Sequence, residues 1–415
     1  MEKQQYKFSN NYLINAICLY SLIFFAIVLS RDTLVTTVTL GFYKSTFIYL
    51  IITGSFFIYA VIVNRNKIKI RKNTTKAMAI FVGLILISSA IKGDFQIYTF
   101  TIIFYICVAY FFTYIFSFED FFRKFSNIMV FLSIFSLITC YLLRGLMFPH
   151  GVVNEGLSIV TNSAGLDLFN FGLSYVVTKP YYIRNFGLFR EPGVYQFFLL
   201  MPIIYELLIE KEKMRYFNIV ILSITLITTF SLVGVAGLGL VIVIYLVKLI
   251  VEKKMDKTKI KVLAAIGVSG ILIFGVMYFT STNFSTVVNE SVRKLFTVND
   301  STYTRSKAVE NNVKFFIESP LLGNDFHAVT NTPVHNTNSG LSIFALYGIF
   351  PGVLYLIYQY MFVSKISSSV VIKVLGMVLL LIITNTQFLL GNTMFWIITF
   401  SIYMDSKKKK NIMQI

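Results

Sequence analysis

The sequence predicts an all-α polytopic membrane protein, and three observations carry that prediction. Of the 415 residues, 56% are hydrophobic and only 13% charged, and the mean hydropathy is +0.73, far too apolar for a soluble domain of this size. The apolar residues fall in runs of roughly 20, the length a spanning helix needs. The charged residues collect between those runs. About twelve spans follow, and the whole chain, 1–415, reads as one integral membrane domain.

In order, helices are predicted at 11–30, 46–63, 77–91, 97–116, 127–147, 193–209, 216–231, 233–250, 262–280, 339–363, 374–388 and 391–404. The third, eleventh and twelfth are short enough that one could be re-entrant. The polar start, MEKQQYKFSNN, precedes an apolar run without a small-residue cleavage pattern, so a retained first helix is expected. With both termini cytoplasmic, 25 of the 37 Lys and Arg residues fall on the cytoplasmic side, which satisfies the positive-inside rule. Lys407 to Lys410 read as an anionic-lipid contact or a topology anchor.

This topology leaves two large loops on the opposite face, 148–192 and 281–338, and they hold His150, His327 and His335. Long external loops escape the charge rule, so their charges serve either solvation or chemistry. The spans hold almost no ionisable residue away from their ends, Glu206 being the nearest exception. That pattern argues against an ion or proton carrier, which places such groups in mid-membrane. Cys18, Cys107 and Cys140 lie in apolar runs and suggest neither a disulfide framework nor a zinc site. The chain has no Walker loop, dinucleotide fingerprint or zincin helix. No metal, cofactor or nucleic-acid partner is expected, despite the net charge of +18.

Within the second loop, Val309, Val313, Phe316 and Ile317 recur at helical spacing, predicting an amphipathic helix on the membrane surface with Thr304 or Ser306 as its cap. Arg305 would stand at its N-terminus, beside backbone N–H groups that favour an anion. Its guanidinium would bind a phosphate or pyrophosphate, or snorkel to lipid headgroups. His335 and Asn336, in TNTPVHNTNSG, lie just before the tenth helix; His335 is either a general base or a solvent-facing loop residue. In RNFGLFREPG, Arg184, Arg190 and Glu191 stand just before the sixth helix, with Pro192 placed to start it. Glu191 is a second base, a sugar-hydroxyl acceptor or the partner of Arg184 or Arg190. SLVGVAGLG, 231–239, reads as close helix packing.

RNFGLFREPG before a membrane helix, SLVGVAGLGL in a later span, TRSKAVENNVKFFIESPLLGND, and VHN leading into SGLSIFALYGIFPGVLYL occur in that order. Together they resemble the O-antigen polymerase and ligase superfamily of bacterial envelope membrane proteins, over about residues 180–360 by motif and the whole chain by topology. The chain departs from common forms where GND follows the Pro320 segment and where SLVGVAG lacks an arginine after its serine.

The resemblance implies a GT-C-like glycosyltransferase architecture in the bacterial cytoplasmic membrane. Its reaction is metal-independent, inverting transfer on the periplasmic or outer face from an oligosaccharide carried on undecaprenyl pyrophosphate. It implies that Arg184 and Arg305 hold the pyrophosphate and that His335 activates the acceptor hydroxyl. Glu191 is carried with the catalytic set, while Arg190, Lys307, Asn336 and Tyr303 are expected to bind substrate. Membrane lipids, a chain-length regulator and a flippase of the same pathway are the implied partners. The EPG after Arg190 favours the polymerase branch over the ligase branch. A lipid-linked oligosaccharide flippase or exporter is the rival from another class, and it predicts polar groups inside the spans.

Overall fold

A computed structural model describes residues 2–28, 30, 32–36, isolated positions between 48 and 62, 72–143, 159–161, 167–177, 184–210, 214–252, 300–330 and 336–405. The predicted helix at 262–280, most of that at 46–63, His150, His335 and Lys407 to Lys410 lie outside the described residues.

The architecture is mostly helical. Among the described residues the helices are α1 (Glu2–Val28), α2 (Lys72–Lys92), α3 (Ile97–Ile115), α4 (Phe118–Leu137), α5 (Pro192–Ile204), α6 (Tyr216–Thr228) and α7 (Leu232–Val251). They continue with α8 (Asp300–Glu318), α9 (Phe326–Thr330), α10 (Ser339–Tyr347), α11 (Ile349–Ser364), α12 (Val370–Thr384) and α13 (Thr393–Phe400). Among the described residues five helical segments are long and apolar enough to cross a membrane: Lys72–Lys92, Ile97–Ile115, Phe118–Leu143, Pro192–Ile209 and Leu232–Val251. Outward faces carry large apolar side chains, including Ile97, Ile250 and Val370. In water each would be costly, so this surface is compatible with a membrane protein.

Helix α5 is the centre of the bundle, because every residue from Pro192 to Ile209 is buried. Pro192 begins it without losing a helical hydrogen bond. Pro202 removes one further along, and the helix widens into a π turn at Tyr205–Ile209. Its neighbours pack through glycine, as expected: a Cβ on Gly237 would press on Leu200 at 2.9 Å, and one on Gly234 would meet Gln196 at 3.0 Å.

Three predictions are corrected. The chain is not purely helical, since the 148–192 loop contains a three-stranded antiparallel sheet, β1 (Ile159–Thr161), β2 (Asp167–Asn170) and β3 (Tyr175–Val177). Leu168 pairs with Val177 and Asn170 with Tyr175, and Leu168, Tyr175 and Val177 bury together with Leu34 and Phe186 in a small second core. The fourth of these helices begins at Phe118, not 127, because Ser117 caps Asp120 N at 3.2 Å and Glu119 and Asp120 favour the helix N-terminus. The span predicted at 339–363 is two helices, broken at Gly348, whose φ of +82° suits glycine alone. A Cβ there would collide with the Leu321 carbonyl.

Candidate functional site

The segment RNFGLFREP is an irregular strap, turned at Gly187 and Leu188, whose backbone is hydrogen-bonded to three other regions. Asn185 N donates to Thr228 O at 2.9 Å, Leu34 N to Leu188 O at 2.9 Å, Tyr175 N to Gly187 O at 2.7 Å and Arg190 N to Asp32 O at 3.0 Å. Gly187 holds a φ of +54° against the Tyr195 ring, so a side chain would not fit. Phe189 anchors the strap, its ring 4.3 Å from that of Phe198. A backbone fixed at so many points presents Arg184, Arg190 and Glu191 in set directions.

Each charge has a defined setting. Arg184 Nε donates to Thr229 O at 3.0 Å, at the end of α6. The C-terminal carbonyls of a helix carry partial negative charge, so this end holds a guanidinium well. Arg190 Nε lies 3.1 Å from Asp32 Oδ1. Burial opposes the charge on Arg190, but Asp32 and Glu191 outweigh it and hold the guanidinium above its ordinary value. Asp32 is fixed by the end of α1, where the Thr33 hydroxyl donates to the Val28 carbonyl at 2.6 Å and the Thr36 hydroxyl to Ser30 O at 2.7 Å.

Arg305 comes from α8, and the structure corrects its expected place. The helix begins no later than Asp300, so Thr304 and Ser306 lie inside it rather than capping it, and Arg305 belongs to its second turn. Ala308 and Asn312 are buried toward the bundle, whereas Val309, Val313 and Ile317 are exposed. Three members of the apolar row thus face outward, as a helix on a membrane surface would hold them, while Phe316 turns inward with its ring 5.6 Å from that of Phe344. Burial pushes the Arg305 guanidinium below its ordinary value, Glu191 opposes this, and Arg184 adds to it. Arg305 is therefore within electrostatic reach of both residues, although more than a hundred positions separate them in the chain.

The SPLLGND turn holds α8 against the bundle. Asn324 N donates to Ala345 O at 2.7 Å and Ile349 N to Pro320 O at 2.8 Å. Lys92 Nζ donates to Asn324 O at 3.0 Å and Leu346 O at 2.6 Å, and Phe326 N donates to Asp94 Oδ2 at 2.8 Å. Gly323, at φ +70°, sits so close to the Leu346 backbone that any side chain would collide. The Gly323 and Gly348 turns interlock, which accounts for GND followed by LYG in the sequence.

The remaining predicted residues divide. Asn336 is buried and its amide is spent within the protein: it exchanges hydrogen bonds with Asn312 at 3.1 and 3.2 Å, donates to Ser342 Oγ at 3.0 Å and accepts from Asn338 N at 3.0 Å. Its side chain joins α8 to α10. Lys307 pairs with Glu310 at 2.8 Å on the exposed side of α8, and this partner raises its affinity for the proton. Tyr303 is exposed. Arg184, Arg190, Glu191 and Arg305 come together; Lys307 is occupied by a neighbour. Sequence reasoning overlooked Asp32, Asn392 and Asn312. The signal for Asp32 was an acidic residue at a span end in a chain with 19 acidic against 37 basic residues.

Arg190 thus pairs with Asp32, Arg305 lies within electrostatic reach of Glu191 and Arg184, and Arg184 rests on the Thr229 carbonyl, so positive charge is in surplus where two sequence-distant segments meet. Such a cluster can bind a multiply charged anion and stabilise negative charge as it develops. Among the described residues no three His, Cys, Asp or Glu side chains gather as a metal site. Compared with known proteins, the chain matches no family model, no curated protein and no solved structure.

Proposed function

We propose that this protein is a polysaccharide polymerase that joins lipid-linked oligosaccharide repeat units by inverting glycosyl transfer at the outer face of the bacterial cytoplasmic membrane. The observation that carries the proposal is the placing of Arg184 and Arg190 on one strap, held by the Thr229 carbonyl and Asp32, with Arg305 of α8 in electrostatic reach of Arg184 and Glu191. The sequence resemblance assigns the donor as undecaprenyl pyrophosphate carrying the growing chain. Cleavage of the bond between the anomeric carbon and the phosphate oxygen leaves charge on the pyrophosphate. Preorganised guanidinium groups stabilise that charge without reorganising.

His335 takes the proton of the acceptor hydroxyl as its oxygen attacks the anomeric carbon from the opposite face. The bond formed joins the chain to the next repeat unit, and the lipid pyrophosphate leaves. Glu191 balances the arginines before the donor arrives. The activated lipid carries the driving force, so no nucleotide is required at this face.

The test uses purified protein in liposomes, an undecaprenyl-pyrophosphate-linked repeat unit, a chelator and no lipid A core, with products resolved by size. A ladder of repeat multiples is expected. Product formed only after lipid A core is added assigns a ligase, and transfer of the intact lipid across the bilayer without a new glycosidic bond assigns a flippase.

A further inference from the structure

We infer that Asp32 is a positioning residue of the anion site, holding Arg190 from behind so that its guanidinium faces the ligand. Asp32 follows the first helix and Arg190 precedes the central one, yet they are joined twice. Arg190 N donates to Asp32 O at 3.0 Å, and Arg190 Nε approaches Asp32 Oδ1 to 3.1 Å. The second contact is a charge contact rather than an aligned hydrogen bond. The other carboxylate oxygen, Oδ2, accepts from Asn392 Nδ2 at 2.9 Å.

Asn392 is itself fully buried and caps α13, its Oδ1 accepting from Met394 N at 2.9 Å and Phe395 N at 3.3 Å. The Asp32 carboxylate is thus fixed by a helix cap on one side and binds the cation on the other. Both of its oxygens face protein groups. The exposed member of the pair is the cation, since the Arg190 side chain keeps 22% of its surface and that of Asp32 only 5%. A substrate would therefore meet Arg190 and not Asp32. A buried carboxylate behind an arginine removes the entropy of the long side chain before the ligand binds.

The inference relies on the proposed reaction only for the identity of the anion, and inorganic pyrophosphate serves as the probe. Calorimetry on the detergent-solubilised full chain would compare wild type, Asp32→Asn, Arg190→Gln and the double variant. Asp32→Asn keeps an oxygen acceptor for Asn392 and removes the charge. Each single variant is expected to weaken pyrophosphate about tenfold, with the double variant no weaker than Arg190→Gln. A merely structural role would lower affinity in the Arg190→Gln background as well, and additive losses overturn the inference. So does unchanged affinity in Asp32→Asn, or a wild type that does not bind pyrophosphate.

If Asp32→Asn does not fold, Asp32→Glu replaces it: retained charge is expected to keep affinity within about threefold of wild type. A loss equal to that of Arg190→Gln overturns the assignment. The liposome transfer assay separates the two claims. Coupled pyrophosphate binding without chain extension sinks the proposed reaction alone, whereas chain extension with affinity unaffected in Asp32→Asn sinks the positioning role alone.

Discussion

The two ends of α5 carry ionic clusters of similar size and opposite character. At the Ile209 end, Arg123 binds Glu210 through two hydrogen bonds of 2.8 and 3.0 Å, and Tyr205 adds a third at 2.7 Å. Arg215 binds Glu206, which also accepts from Ser126 at 2.6 Å and Asn218 at 3.3 Å. Two arginines meet two carboxylates, and the charges balance. At the Pro192 end, Arg184, Arg190 and Arg305 stand against Asp32 and Glu191, and the ion pair there joins Arg190 to Asp32. A balanced, fully hydrogen-bonded cluster holds helices together, whereas one left with surplus positive charge has capacity for an anion. The number of charged residues does not separate the two ends; their mutual satisfaction does.

The largest effect is expected at the balanced end. Arg215→Ala strands the Glu206 carboxylate, which is fully buried, and should cost about 3–5 kcal/mol. The expected outcome is loss of monodisperse, membrane-extracted protein and a lowered unfolding midpoint in detergent. Replacing Glu206 and Arg215 together by methionine should recover most of that stability. A double variant as unstable as the single one would mean that the cluster is not a closed pair.

At the other end the order of effects reverses. Arg305→Ala is expected to reduce chain extension in liposomes by about 100-fold or more, while the protein remains inserted and folded. Removing Arg305 takes away its repulsion with Arg184, so the unfolding midpoint should hold or rise. A fall in stability comparable to that of Arg215→Ala, with activity intact, would place Arg305 among the structural ions.

Much of this division was legible in the sequence, and what escaped it did so for physical reasons. RNFGLFREPG and the Arg305 segment stood out because charged residues beside apolar runs are conspicuous. The start of α4 was misplaced because Glu119, Asp120, Arg123 and Lys124 look like a loop; Arg123 is instead consumed by Glu210, 87 residues away. Asp32 was invisible because its meaning comes from Arg190, a partner no local window contains. The β2–β3 hairpin had a signal in the alternating DLFN and the β-branched YVV, but a loop expected to be solvated concealed it. Asn336 looked like a ligand group beside His335, and its actual partner, Asn312, lies 24 residues earlier.

Between the extremes stands the interlocked turn that sets α8 on the bundle. Gly348→Ala should cost about 1–3 kcal/mol, since alanine at φ +82° is strained and its methyl group meets the Leu321 carbonyl. Because that turn also fixes α8, chain extension should fall along with the unfolding midpoint. If activity fell while stability held, the turn would belong to the site and not to its support.

The smallest effect is expected at Lys307, one turn-half from Arg305 in sequence and unlike it in setting. Its ammonium pairs with Glu310 on the solvent side of α8, in a contact between exposed side chains. Pairs of that kind contribute little, because water screens the attraction and two long side chains must be ordered to make it. Lys307→Ala should therefore leave both the donor KM and kcat within about twofold of wild type. This outcome sharpens the contrast, since a charge adjacent to the site but satisfied by its own helix should behave like those at the Ile209 end without their burial. A large rise in donor KM would instead show that the lysine leaves Glu310 when donor binds, and it would extend the anion site along the outer edge of α8.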